Sequence, residues 1–163
     1  MAYLLDANVF IAAKNLHYGM DFCPAFWDWL VHANRNGTVC SIEKVGDEIA
    51  AGDDELSEWA EELDDSFFTS PNTDTLTALQ RVSQWVTSNG YEPAAINAFL
   101  AGADYYLISE ALASKHAVVT HERPSDSAKR IKIPNVCLGL GVKVVSPFEM
   151  LRNERVRFVL GKP

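Results

Sequence analysis

No stretch of this 163-residue sequence stays apolar over the roughly 20 positions that a membrane-crossing helix needs, which argues against a membrane partner. Cysteine is scarce. Cys23, Cys40 and Cys137 are odd in number and lack metal-type spacing, so reduced thiols in a cytoplasm are expected. The N-terminus lacks the basic region, long apolar run and small-residue cleavage site of a secretory signal. Histidine is sparse too, and His17, His32 and His116 have no company at metal-ligand spacing, so they receive no functional role. Basic side chains are nearly missing from the first two thirds of the chain. Residues 1–114 carry 4 basic and 18 acidic side chains, net −14, whereas residues 115–163 carry 10 basic and 4 acidic ones, net +6. A total of −8 argues against nucleic acid, since Lys and Arg supply most non-specific affinity for phosphate. The uneven distribution nevertheless leaves one face able to attract an anion; Arg152, Arg155 and Arg157 could equally belong to a merely solvated face.

What is present is ordinary globular composition, 48% apolar and 22% charged, in a chain that fits a single domain over residues 1–163. A chain of this length buries about 70% of the surface it exposes when unfolded. Short runs rich in Val, Leu or Ile at Ala2–Leu5, Thr38–Ser41, Ala117–Thr120 and Val142–Val145 read as buried parallel strands. Helical patterns fall between them at Pro24–Asn34, Ile42–Ala51, Glu55–Leu63, Thr75–Val86, Pro93–Leu100 and Ala103–Ser114. Alternation of this kind predicts an α/β fold built from βαβ units. His121–Lys132 reads as a polar, basic loop after a strand. The acidic run Asp53–Asp65 repeats Leu56, Trp59, Ala60 and Leu63 at helical spacing, as in an amphipathic helix with a charged outer face; a docking surface for a basic partner is the alternative.

Four carboxylates stand apart from this surface charge. Asp6 ends the first strand, where α/β sheets bind ligands, although an Asp there can also simply cap the next helix. Glu122 follows the strand AVVT and should share that edge. Asp104 lies in the first turn of its helix on the face of Ile108, Ala111 and Leu112, which is an apolar one. Glu48, two turns into its helix, can reach back to the same edge, with Asp47 as its neighbouring rival. Acids crowded in one cleft repel unless some are protonated or a cation neutralises them. All-oxygen ligands favour Mg²⁺ or Mn²⁺, which can support phosphodiester hydrolysis.

The blocks YLLDANVFI, KVGDEIAAG, ADYYLISEAL and VVTHE, in this order, resemble the four acidic motifs of the PIN domain. The resemblance implies a three-layer α/β/α fold with a mainly parallel sheet of four to five strands. It further implies an endoribonuclease dependent on Mg²⁺ or Mn²⁺, with Asp6, Glu48, Asp104 and Glu122 as metal ligands and Asn8 and Thr120 orienting an acid or a water. One or two ions remain open, because Glu122 stands where the family usually has Asp. The preceding His121 is either a ligand or RNA contact or an exposed loop residue. Arg123, Lys129, Arg130 and Lys132 are candidates for an RNA-binding rim. The continuation IPNVC…GVKVVSPFEML is similar to a VapC-like bacterial subfamily resembling toxins of toxin–antitoxin pairs, which implies an RNA substrate, a cognate antitoxin protein and, as is usual among such proteins, a homodimer. Two other functions stay open: a phosphatase of the haloacid dehalogenase type, which would normally have a second Asp where Asn8 stands, and a catalytically inactive PIN-like module that binds a partner.

Overall fold

The computed structural model describes residues 1–161. Lys162, counted above in the basic C-terminal stretch, lies outside them. Five short strands form one parallel sheet: β1 (Tyr3–Leu5), β2 (Val39–Ile42), β3 (Phe68–Thr69), β4 (Ala117–Val119) and β5 (Val144–Val145). Their order is β3-β2-β1-β4-β5, and each pairing is parallel, with Leu5 opposite Val119 in β1–β4 and Leu4 opposite Cys40 in β1–β2. The chain therefore steps outward in one direction from β1, then returns to build the other half from β4. Direction reverses between β1 and β4, which is the switch point where open α/β sheets form a crevice at the strand carboxyl ends.

Nine α-helices accompany the sheet among the described residues: α1 (Ala7–Ala12), α2 (Pro24–Arg35), α3 (Glu43–Ala50), α4 (Glu55–Glu61), α5 (Thr73–Thr87), α6 (Pro93–Ala101), α7 (Ala103–Ser114), α8 (Ile133–Leu140) and α9 (Pro147–Asn153). Right-handed crossovers put α1 to α4 on one face and α5 to α8 on the other, giving three α/β/α layers. In agreement, α5, α7 and α8 pack together and α1, α3 and α4 pack together, with α3 and α7 meeting each other as well. Among the described residues no helix is long and apolar enough to cross a membrane.

The strands are two to four residues long; β1 and β4 are wholly buried, as expected of strands covered on both faces, while the edge strand β3 is half-buried. Under β1 the core is aromatic. Phe10 meets Phe67 and Trp59 at 6.0 Å, Trp27 stands T-shaped on Trp59 at 4.9 Å, and the Trp27 indole N–H donates to the Tyr18 carbonyl at 2.7 Å. Full burial of each apolar side chain of this size is worth about 1.5–3 kcal/mol, which anchors α1 directly after Asp6. A π-helical turn, Ala13–His17, then widens the helix, with the Tyr18 N–H bonded to the Ala13 carbonyl. Lys14 of that turn donates to the Asp54 carboxylate, which also caps α4 by accepting from the Ser57 N–H. This hydrogen bond from Lys14 holds the Asp54 carboxyl down at about 2. Part of the acidic run thus serves as an anchor for the π-helical turn.

On the opposite face, α5 and α8 approach so closely that a Cβ on Gly139 would stand 2.3 Å from ring atoms of Trp85. Gly139→Ala is expected to destabilise the protein by about 1–3 kcal/mol, the usual cost of overpacking. Urea denaturation measures this, and an unchanged midpoint would show that the indole swings aside freely.

Candidate active site

The carboxyl end of β1 is clamped from both sides before any functional side chain is placed. The Ser41 hydroxyl, from β2, donates to the Leu5 carbonyl at 2.6 Å, and the Asp6 N–H donates to the Val119 carbonyl of β4 at 3.0 Å. Asp6 therefore emerges at the switch point with its backbone fixed. It occupies the N-cap position of α1 in an extended conformation, yet its side chain makes no capping hydrogen bond. Instead Asp6 Oδ2 accepts from the Thr120 hydroxyl at 2.8 Å, across the crevice, and the side chain is only 6% exposed. The helix-cap alternative for Asp6 fails on this geometry.

Thr120 is the hub of the crevice. While donating to Asp6, its oxygen accepts from Asn8 Nδ2 at 3.2 Å and from the Glu122 N–H at 3.1 Å. Asn8 Oδ1 in turn accepts from the His121 N–H at 3.2 Å, so Asn8 braces the loop that follows β4 against α1. Thr120→Val keeps the shape and removes this hub. Leaving Asp6 and Asn8 short of a partner is expected to cost roughly 1–3 kcal/mol in urea denaturation at pH 7. It should also raise the Asp6 carboxyl further, because the hydroxyl hydrogen bond lowers it. A stability equal to wild type would mean that water replaces the hydroxyl without cost.

The acids sense one another. Burial, followed by the charges of Glu122 and Glu48, pushes Asp6 up to about 6 against the hydrogen bond from Thr120. Asp104, in the first turn of α7, is pushed up to about 7 by burial and then by the charges of Asp6, Glu122 and Glu48, with Lys132 acting in the opposite sense. Burial also raises the Glu48 carboxyl, although that side chain is largely exposed on α3. It is Glu48 whose charge acts on both Asp6 and Asp104, which favours it over the neighbouring Asp47 as the acid facing the crevice. Lys44 lies 4.4 Å from the centre of the Tyr106 ring and ties α3 to α7 on this side.

The expected Mg²⁺ or Mn²⁺ cofactor finds no ligand set here. Among the described residues no group of three or more His, Cys, Asp or Glu side chains is placed to hold a metal ion. The reason lies in where the carboxylates turn. Asp6 gives one oxygen to Thr120, and Glu122 Oε2 accepts from the Ile133 N–H at 2.8 Å, at the start of α8, where the helix dipole favours an anion. Glu48 stands out toward solvent. Asp6, Glu48, Asp104 and Glu122 therefore share an edge and an electrostatic field without converging as metal ligands.

The basic loop expected after β4 is present as non-helical chain, held by Asn135, whose side chain accepts from the Ser125 N–H and donates to the Ser125 carbonyl, both at 3.0 Å. Arg123, Lys129 and Arg130 are exposed on it, while Lys132 is half-buried at the N-cap of α8 and acts on Asp104. Burial pushes the Cys40 thiol up to about 11 and the Cys137 thiol up to about 12, so neither is a ready nucleophile. Glu110, a buried acid that the motif reading passed over, accepts from the Thr75 and Ser114 hydroxyls and ties α7 to α5. Two residues that sequence reasoning left without a role also reach this edge: His17, from the π-helical turn, and Phe148, from α9, pack against each other and against His121. Nothing local in the sequence marks them, since the contacts join three distant segments.

Comparison with known proteins agrees at the level of fold. A chain in the crystal structure of VapBC2 from Rickettsia felis, bound to a DNA fragment from their promoter, superposes with a TM-score of 0.55 at 16% identity, covering 90% of this chain and 98% of that one. No curated protein matches the sequence. A family model described as a domain of unknown function, DUF4411, matches residues 3–158. With nearly its whole length matched, the chain belongs to the DUF4411 family.

Proposed function

We propose that the protein cleaves RNA by hydrolysis of phosphodiester bonds, as the toxin of a toxin–antitoxin pair whose antitoxin is a protein partner. The observation that carries this reading is Asp6 at the switch point, turned from its helix to Thr120 and raised together with Asp104 toward neutral pH. A carboxyl that titrates near the working pH suits a general base, which contributes typically 10²–10⁴-fold to a proton-transfer step. In this reading Asp104 takes the proton from a water whose oxygen bonds to phosphorus as the bond to the leaving ribose oxygen breaks, that oxygen takes a proton from solvent, Asp6 sets the field that keeps Asp104 basic, and Glu48 adds to it. Glu122, spent partly on the Ile133 N–H, holds the loop and α8 in place. Asn8 and Thr120 fix the geometry between them.

An acidic crevice repels a polyanion unless basic groups stand beside it. Arg123, Lys129, Arg130 and Lys132 supply them on one loop, which supports a single-stranded RNA backbone lying along that rim. The likeness to a VapBC2 chain supports the toxin–antitoxin setting. The phosphatase alternative is not favoured: the position that would need a second acid is Asn8, which is committed through both ends of its amide to Thr120 and His121.

The test is brief expression in bacteria followed by mapping of RNA ends, with Asp6→Asn in parallel. New RNA ends with wild type and none with Asp6→Asn are expected. Equal patterns from the two proteins would remove the nuclease reading and leave a binding module.

A further inference from the structure

The rings of His17, His121 and Phe148 form a cluster outside the hydrophobic core. His17 and Phe148 stand T-shaped at 5.2 Å, His121 and Phe148 are 5.8 Å apart, and the two imidazoles are 5.5 Å apart. Such spacings are normal for aromatic packing. Their location is not that of core packing, because His17 is exposed and the other two are only half-buried. Each ring comes from a different part of the chain: a π-helical turn, the loop after β4, and α9. π-helical turns are frequent at functional sites, since they break the regular hydrogen-bond ladder.

His121 and Phe148 also line a groove of about 510 Å³ whose wall continues through Thr120 and Glu122, the crevice residues themselves, to Arg123. That volume suits a small organic group. Glu149, on the same wall, is turned to the Ser146 N–H at 3.3 Å as the reciprocal part of the α9 cap. The groove thus combines aromatic surface, a guanidinium and direct continuity with the acid cluster.

We infer that this groove is a stacking subsite for an unpaired nucleobase next to the scissile phosphate, with His121 and Phe148 as the contact surface and His17 as a positioning residue behind them. The inference rests on the nuclease reading above and adds to it a base-binding position, which requires at least one unstacked base beside the cut. Bases stack on aromatic rings with little sequence preference, and a paired base in a duplex offers no free face. The subsite therefore selects single-stranded over duplex RNA through shape, while the basic loop holds the backbone.

The experiment uses short single-stranded RNAs that the wild-type protein cleaves, with steady-state kinetics on wild type, Phe148→Leu and His17→Ala. Phe148→Leu keeps apolar volume and removes the ring. It is expected to raise KM about tenfold with little change in kcat, the pattern of lost uniform binding. His17→Ala is expected to shift KM in the same direction by less. A second arm needs no variant: a single abasic position is moved along the RNA, and wild-type cleavage should fall about tenfold at one position beside the cut site and not elsewhere. Unchanged KM in Phe148→Leu, or cleavage indifferent to every abasic position, would overturn the subsite while leaving the nuclease reading intact. Absence of wild-type cleavage of any RNA would remove both.

Discussion

Asp104→Asn is expected to make the protein more stable at pH 8, by about 2 kcal/mol, while lowering its activity about 10²-fold or more. The sign follows from linkage. In the folded chain the Asp104 carboxyl lies at about 7 against an ordinary value of 3.8, mainly from burial and then from the charges of Asp6, Glu122 and Glu48. A raised carboxyl means that the folded state holds its proton at pH values where the unfolded chain has released it, so stability falls as pH rises from about 4 through 7. A shift of this size corresponds to at most ~4 kcal/mol at 1.36 kcal/mol per unit. Asp104 is only partly buried, and screening by solvent reduces the expected effect to about half of that. At this chain length 2 kcal/mol raises Tm by roughly 4–8 °C. The gain should vanish near pH 4, where Asp104 is protonated in the folded wild type too. Thermal melts at both pH values measure it, and equal destabilisation at the two would contradict the crowded-acid account. Greater stability in a less active variant is the usual signature of a site held in an unfavourable arrangement.

The second large effect concerns rate. RNA cleavage by the wild type is expected to rise with pH through the interval from about 6 to about 7 and then level off, as Asp6 and Asp104 lose their protons. A general base works only when deprotonated, so acid should suppress the reaction about tenfold per unit within that interval and more steeply below it, where both groups are protonated. Asp6→Asn and Asp104→Asn should each lower kcat/KM by about 10²-fold or more. Asp6→Asn should also shift the remaining profile to lower pH, because the Asp6 charge is the largest of the charges that raise Asp104. Initial rates of the wild type and both variants across pH 5 to 9 decide the matter. A profile flat across this range, with both variants active, would take the proton-transfer role away from these residues.

Much of the fold was legible in the sequence, because the information was local. Leu4, Val118 and Val145 belong to apolar runs too short for helices, and α7 has the bounds its periodicity predicts, Ala103–Ser114. The parts that were not read have identifiable reasons. β3 has only two residues and no periodicity to detect. α8 hides behind Pro134 and Gly139, whose residue types suggest a loop. α9 could have been found from its capping box, Ser146 with Glu149, three positions apart and followed by apolar residues. The π-helical turn depends on a hydrogen bond from Tyr18 to Ala13 that no composition announces.

The site divides along the same line. The sequence by itself placed Asp6, Asp104 and Glu122 toward one sheet edge, because each stands at or just past a strand end or in a first helical turn, and parallel βαβ units bring those places together, while Glu48, deeper in its helix, needs its length to reach back. It could not determine what their oxygens meet. Asp6 might have capped α1, and only packing across the switch point brings the Thr120 hydroxyl to it from 114 positions away. Glu122 might have faced the other acids, and only the start of α8 draws it to the Ile133 N–H. The expectation of a metal site was lost there, and the groove lined by His121 and Phe148, with His17 packed against both, was found in the same way. Strand ends and helix faces follow from residue order, whereas the partner a side chain chooses follows from the competition among groups that folding alone brings within hydrogen-bond range.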